Sequence, residues 1–197
     1  MSIAARLRII QRRVEAACVA AGRSPGDVRL LAASKTRTAS DVLEAMVAGQ
    51  SLFGENRGQE MRDKPGAVEL LAASSTGIPA PEWHFIGALQ RNKVKYVVGR
   101  ASLVHAVDSL RLGEALSDRV QRIGASPIGV LVEVNVGAEQ SKAGTTPEEA
   151  LPLAAALQAL PGVAVRGLMT IPPAVADPAD AAPYFARMQT LLADGRA

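Results

Sequence analysis

Lys35 stands in LLAASKTRT at the close of an apolar run of strand length. Desolvation at such a place lowers an ammonium's pKa, and the neutral amine is the nucleophile that condenses with aldehydes. Arginine cannot do this chemistry. The competing reading is a lysine that reaches solvent from a strand end. Asn56, in FGENRGQE (53–60), offers a donor and an acceptor that could hold a ring hydroxyl or an aldehyde oxygen. Alternatively, Glu55 and Asn56 cap the helix that follows. WHFIGALQRNK (83–93) carries His84, an acid or base or a satisfied structural histidine. His105 lies inside the apolar segment SLVHAV and reads as structural. EVNVGAEQSKAG (133–144) places Glu133 and Asn135 at a strand end and Lys142 in a Gly-bounded loop. Lys142 is either a second amine able to meet an aldehyde or a solvated loop lysine. RGLMTIPP (166–173) ends with Met169 and Thr170 on opposite faces of a strand, Met169 reading as core or cofactor contact. Two distant histidines and Cys18 make no metal set. No nucleophilic serine or cysteine motif and no phosphate-binding P-loop is visible.

These residues need elements to position them. Apolar strand-like runs fall at 28–34, 50–55, 82–87, 102–107, 128–136 and 163–171. Helical patterns lie between them at 39–48, 88–98, 110–123, 147–160 and 180–194, after a first helix carrying Ile3, Leu7, Ile10, Val14 and Ala17. Gly22 is placed to end that first helix in a left-handed cap. The segment 56–72 reads as helix, but Pro65 and Gly66 are expected to break or kink it. Strand–helix alternation predicts a parallel α/β architecture with right-handed crossovers. No GxGxxG turn follows the first strand, which weakens a dinucleotide-binding open sheet. Lys35, Asn56, Asp108, Asn135 and Thr170 each follow the C-terminal end of a strand, where (β/α)-barrels place functional groups. Six strand–helix units are present, whereas a closed barrel of this type needs eight.

Composition bounds the function. The 197 residues are 48% hydrophobic, 21% charged and 3% aromatic, as in one globular domain with an aliphatic core. A net charge of +3, with scattered basic residues, does not argue for nucleic acid. Cys18 is the one cysteine, so no intrachain disulfide can form, and a reducing compartment is implied. No run approaches the ~18 apolar residues that span a bilayer. The amphipathic N-terminus MSIAARLRII has no signal-peptide core, so a cytoplasmic protein is expected.

Taken in order, SKT (34–36), FGEN (53–56) with QE (59–60), WHFIG (83–87) with LQRNK (89–93), EVN (133–135) with SKAG (141–144), and RGLMTIP (166–172) resemble the pyridoxal phosphate homeostasis proteins. The resemblance runs from about residue 3 to the C-terminus. It implies a fold type III pyridoxal 5′-phosphate (PLP) protein, a TIM-type (β/α) barrel similar to the N-terminal domain of alanine racemase. The whole of 1–197 would form a single PLP-binding barrel domain. It further implies that Lys35 forms the Schiff base with PLP, that Asn56 lies near the cofactor, and that Met169 lines its pocket. Lys142 would bind PLP secondarily or help hand it over. No catalytic residue and no metal is implied. The implied role is intracellular PLP homeostasis, buffering the cofactor and delivering it to apo-enzymes without turnover. The implied complete barrel is a monomer with no nucleic-acid or membrane partner.

One departure stands out. The family continues with a Ser-x-Gly-Met-Ser segment and an Arg-x-Gly segment that clamp the PLP phosphate, and this sequence contains neither. The last two strand–helix units are therefore expected to be lacking from this sequence, and a molecule that ended at Ala197 would have open barrel edges, poor solubility or closure by dimerisation, and weakened PLP affinity. The alternative function is a PLP-dependent amino-acid racemase-like enzyme of the same fold. Such an enzyme needs a second acid or base, often a tyrosine, and Tyr96 and Tyr184 both fall on predicted helices. A PLP-free Schiff-base aldolase is the third reading.

Overall fold

Helix α1 spans Ile3–Ala20 in the computed structural model, which describes residues 1–73, 77–139 and 142–196. The Ser2 hydroxyl caps its start by accepting from the Ala5 N–H, and Gly22 follows its end at φ 66°. Cys18 is buried on this helix, as packing predicts. Two compact units make up the chain, Met1–His84 and Phe85–Ala197.

In the first unit, β1 (Ala32–Ala33) pairs in parallel with β2 (Leu52–Glu55), in the register Ala32 to Phe53 and Ala33 to Gly54. β1 is far shorter than the apolar run 28–34 suggested. The Gln50 side-chain amide explains part of this. It donates to the Leu30 carbonyl at 2.8 Å and the Leu52 carbonyl at 2.6 Å, so a side chain takes an acceptor that a ladder would use. Helix α2 (Ala39–Val47) starts in a Thr38/Asp41 capping box.

Helix α3 (Gly58–Ala72) continues through Pro65 without the expected break. Proline removes one N–H, and here the loss is outweighed by packing. Met61, Pro65 and Val68 form a buried stripe on α3, which packs on α2. Full burial of side chains such as Met61 and Val68 stabilises by roughly 1.5–3 kcal/mol each. The start of α3 is not capped by Glu55 or Asn56: Arg57 holds the N-cap position without a side-chain bond. β3 (Glu82–Phe85) follows, with Trp83 tilted against Phe53 at 5.6 Å between ring centroids.

In the second unit, a 3₁₀ turn (Arg91–Lys93) and α4 (Val94–Val97) occupy only part of the expected helix 88–98. β4 (Leu103–Val107), β5 (Ile128–Glu133) and β6 (Val163–Met169) run parallel, alternating with α5 (Leu110–Ile123) and α6 (Pro147–Gln158). α5 ends at Gly124 with φ 63°. Gly162 is required by contact: a Cβ there would lie 2.6 Å from the Ser117 Cα. The core is aliphatic, with Val104, Val107, Leu116, Val130, Val132 and Leu157 all buried. Helix α7 (Ala182–Asp194) closes the chain. Within each unit the pairing strands are neighbours in chain order, β1 with β2 in the first, and β4 with β5 and β5 with β6 in the second. That progression is the expected (β/α) winding.

Candidate functional site

Lys35 follows β1 in a tight turn. The Arg37 N–H donates to the Ser34 carbonyl at 2.9 Å, so Lys35 and Thr36 are the central residues. Thr36 has φ 63°, a left-handed conformation that a β-branched residue rarely adopts. Turns of this kind favour glycine at that position. The Lys35 side chain is exposed, which matches the reading of a lysine that reaches solvent from a strand end. The run ends at Ser34, which faces inward and is buried, and the turn sends the next residue outward.

A buried ionic cluster holds this turn. Lys64, on α3, is 9% exposed, and its ammonium donates to three oxygens. These are the Ser34 carbonyl at 2.8 Å, Glu55 Oε1 at 2.7 Å and Glu60 Oε2 at 2.8 Å. The Ser34 hydroxyl donates to Glu55 Oε1 at 2.6 Å, and the Thr36 N–H donates to Glu60 Oε2 at 3.0 Å. All three Lys64 donors are therefore satisfied, the condition under which a buried charge is tolerable. Burial pushes the Glu55 carboxyl above its usual range, against the opposing pull of Lys64 and Ser34. The Lys64 hydrogen bond holds Glu60 down at about 2.

Asn56 follows β2, and its Oδ1 is buried without a hydrogen-bond partner among the described residues. A buried unpaired acceptor loses solvation with nothing in return, and a ligand hydroxyl or protonated nitrogen would relieve it.

In the second unit, Glu133, Asn135 and Lys142 line a cavity of about 280 Å³ with Gly87, Ala106 and Ile171. Burial, and then the nearby Asp108 charge, raise the Glu133 pKa, and its Oε2 has no partner among the described residues. The Asn135 amide ties its own loop, donating to the Glu139 carbonyl at 2.8 Å and accepting from the Glu139 N–H at 3.2 Å. Lys142 is occupied: its ammonium donates to the Pro172 carbonyl at 3.0 Å and pairs with Glu139 Oε2 at 2.5 Å. Gly144 allows that loop its path, with φ 110° and a would-be Cβ only 2.8 Å from the Asn135 nitrogen. Met169 closes β6 half-buried, in register with Glu133. In the first unit, His84 is buried against the Glu82 carboxylate at 2.9 Å, which fits a structural histidine.

Sequence reasoning missed Lys64 and the roles of Glu55 and Glu60. A glutamate inside an apolar strand and an i, i+4 Glu–Lys pair on the next helix were the available signals. Residues 140 and 141, part of the SKAG-containing loop, lie outside the described residues.

Parallel strands alternating with helices, with an amine and an amide at strand ends, define a protein of the (β/α) class. The sequence model of the family described as alanine racemase, N-terminal domain, matches residues 5–197. A pyridoxal phosphate homeostasis protein of Aquifex aeolicus (strain VF5) is 39% identical over 191 residues, 97% of this chain and 80% of that protein. PipY of Synechococcus elongatus PCC7942, solved with PLP bound, superposes with a TM-score of 0.72 at 29% identity, covering 93% of this chain and 81% of that one. An alanine racemase of Clostridium difficile 630 shares the fold alone, at 16% identity and a TM-score of 0.62 over 85% of this chain and 43% of that one. The chain belongs to the pyridoxal phosphate homeostasis family, within the alanine racemase N-terminal domain class.

No helix among the described residues is long and apolar enough to cross a membrane.

Proposed function

We propose that this chain binds PLP as a Schiff base on Lys35 and serves PLP homeostasis in the cytoplasm, buffering the cofactor and delivering it to apo-enzymes without turnover. Lys35 would hold the cofactor through its amine, and PLP when bound would supply the aldehyde that condenses with it. The carrying observation is Lys35 itself, exposed on a turn whose backbone is fixed from below by buried charge. Family membership and the PLP-bound PipY relative support the choice of carbonyl compound.

The residues present fit the ring and the aldehyde of the cofactor. Asn56 would offer its unpaired Oδ1 to a polar hydrogen of the ring. Met169 would supply an apolar wall. Lys142 would act in secondary binding or transfer only after leaving Glu139 and Pro172.

The test is spectroscopic. Protein mixed with PLP should develop a near-ultraviolet to visible band that borohydride removes, and the label should map to the Lys35 peptide. Lys35→Ala should lose both band and label. The same band and the same labelled peptide from Lys35→Ala would defeat the assignment. Racemisation of alanine well above that given by free PLP would favour the racemase-like alternative and overturn the non-enzyme reading.

A further inference from the structure

We infer that Lys64 and Glu60 are positioning residues for Lys35, fixing the Ser34–Thr36 turn from beneath so that the lysine amine meets an incoming aldehyde in a preset direction. This deepens the reading of Lys35 as the PLP-binding lysine and rests on it.

The geometry is specific to the two peptide groups that flank Lys35. The carbonyl before it, on Ser34, accepts from Lys64 Nζ at 2.8 Å. The N–H after it, on Thr36, donates to Glu60 Oε2 at 3.0 Å. Lys64 and Glu60 then bond to each other at 2.8 Å, closing a ring around the turn. Glu55, fully buried, anchors Lys64 from the strand side at 2.7 Å. The Lys35 side chain is left out of the cluster and exposed. Charged groups are thus spent on backbone, beside a threonine at φ 63° that would otherwise relax. Strained backbone persists where its surroundings over-determine it, and such places cluster at ligand clamps. Reactive groups need this kind of support, because a displacement near 1 Å can lower a rate by about 100-fold.

The cluster makes two separable demands. Glu60 is 22% exposed on its side chain, so its loss is tolerable to the fold. Its function toward Thr36 needs only an acceptor oxygen, which glutamine keeps and alanine removes.

The experiment follows reductive labelling of the full chain by PLP and borohydride, with Lys142 as an internal reference in the same sample. Wild type, Glu60→Ala, Glu60→Gln and Lys64→Met are compared, each checked for a cooperative thermal transition. We expect Glu60→Ala to slow labelling of Lys35 relative to Lys142 by about tenfold or more. Glu60→Gln should restore the ratio to within about threefold, since the Thr36 N–H regains an acceptor. Lys64→Met, where it folds, should show a loss at least as large as Glu60→Ala. Global loosening would affect both lysines and would not be repaired by glutamine. An unchanged Lys35 to Lys142 ratio in folded Glu60→Ala overturns the inference while leaving the Lys35 reading intact. Wild-type protein that carries no label on Lys35 defeats that reading, and the inference with it.

Discussion

Lys35 and Lys142 are both lysines near strand ends, and the fold treats them in opposite ways. Around Lys35 the buried charges grip the backbone and leave the amine alone. Around Lys142 the partners grip the amine itself, a carboxylate and a carbonyl within 3.0 Å. A lysine held by its peptide groups is ready to react. A lysine held by its ammonium must first give up a charge-assisted hydrogen bond and an ion pair. The difference argues that the first is the standing binding site and the second at most a conditional one.

The comparison breaks most severely if the buried cluster is removed. Lys64→Met leaves Glu55, fully buried, with only the Ser34 hydroxyl on Oε1. Breaking a buried pair this way should cost about 3–5 kcal/mol, read as a lowered denaturant midpoint. A loss under about 1 kcal/mol would mean that the cluster is not what secures the Lys35 turn.

The Lys142 loop has its own single point of failure. Gly144→Ala puts a methyl 2.8 Å from the Asn135 nitrogen at φ 110°. Strain of this kind should cost about 1–3 kcal/mol and loosen the loop, visible as faster amide exchange at Asn135 and Thr145. Unchanged exchange there would show that the loop path does not depend on glycine.

Acid should separate the two regions by a smaller margin. Glu60 ionises at about 2 in the folded chain, below the ordinary 4.5 for a glutamate, so its contribution is complete above the ordinary value. It is lost as pH falls from there toward the folded value, because the unfolded chain takes up the proton first. Part of the side chain meets water, and screening holds the loss to about 1 kcal/mol. Glu55 is shifted the opposite way, so its protonation partly offsets that loss. Glu60→Gln should flatten the acid limb of a stability–pH curve, and an unaltered limb would assign acid sensitivity elsewhere.

What was legible in the sequence follows from range. The period of apolar residues located α5 at Leu110–Ile123 and put β4 and β5 within a few residues of their ends, since local pattern governs these elements. The strand-end residues Lys35, Asn56 and Asn135 were visible for the same reason. The tight turn that exposes Lys35 was not, because it depends on a threonine adopting a glycine-like conformation. The cluster beneath it was hidden because Lys64 meets Ser34 across 30 residues and Glu55 across nine. Pro65 misled in the opposite sense: one lost hydrogen bond weighed less than a buried stripe shared with α2.

The smallest expected effect on stability sharpens the contrast most for function. Glu139→Ala removes the carboxylate from Lys142 and leaves the Pro172 carbonyl as its partner. Both side chains are partly exposed, 29% and 37%, so the pair should be worth no more than about 0.5–1 kcal/mol. Chemically the change is larger, because a lysine released from its carboxylate partner is free to swing out of the loop and meet an aldehyde. Borohydride trapping after PLP addition should shift toward Lys142 while Lys35 labels as before. If Lys142 labelling stays constant, the carboxylate is not what restrains it, and the distinction between a ready and a conditional lysine loses its basis in the second unit.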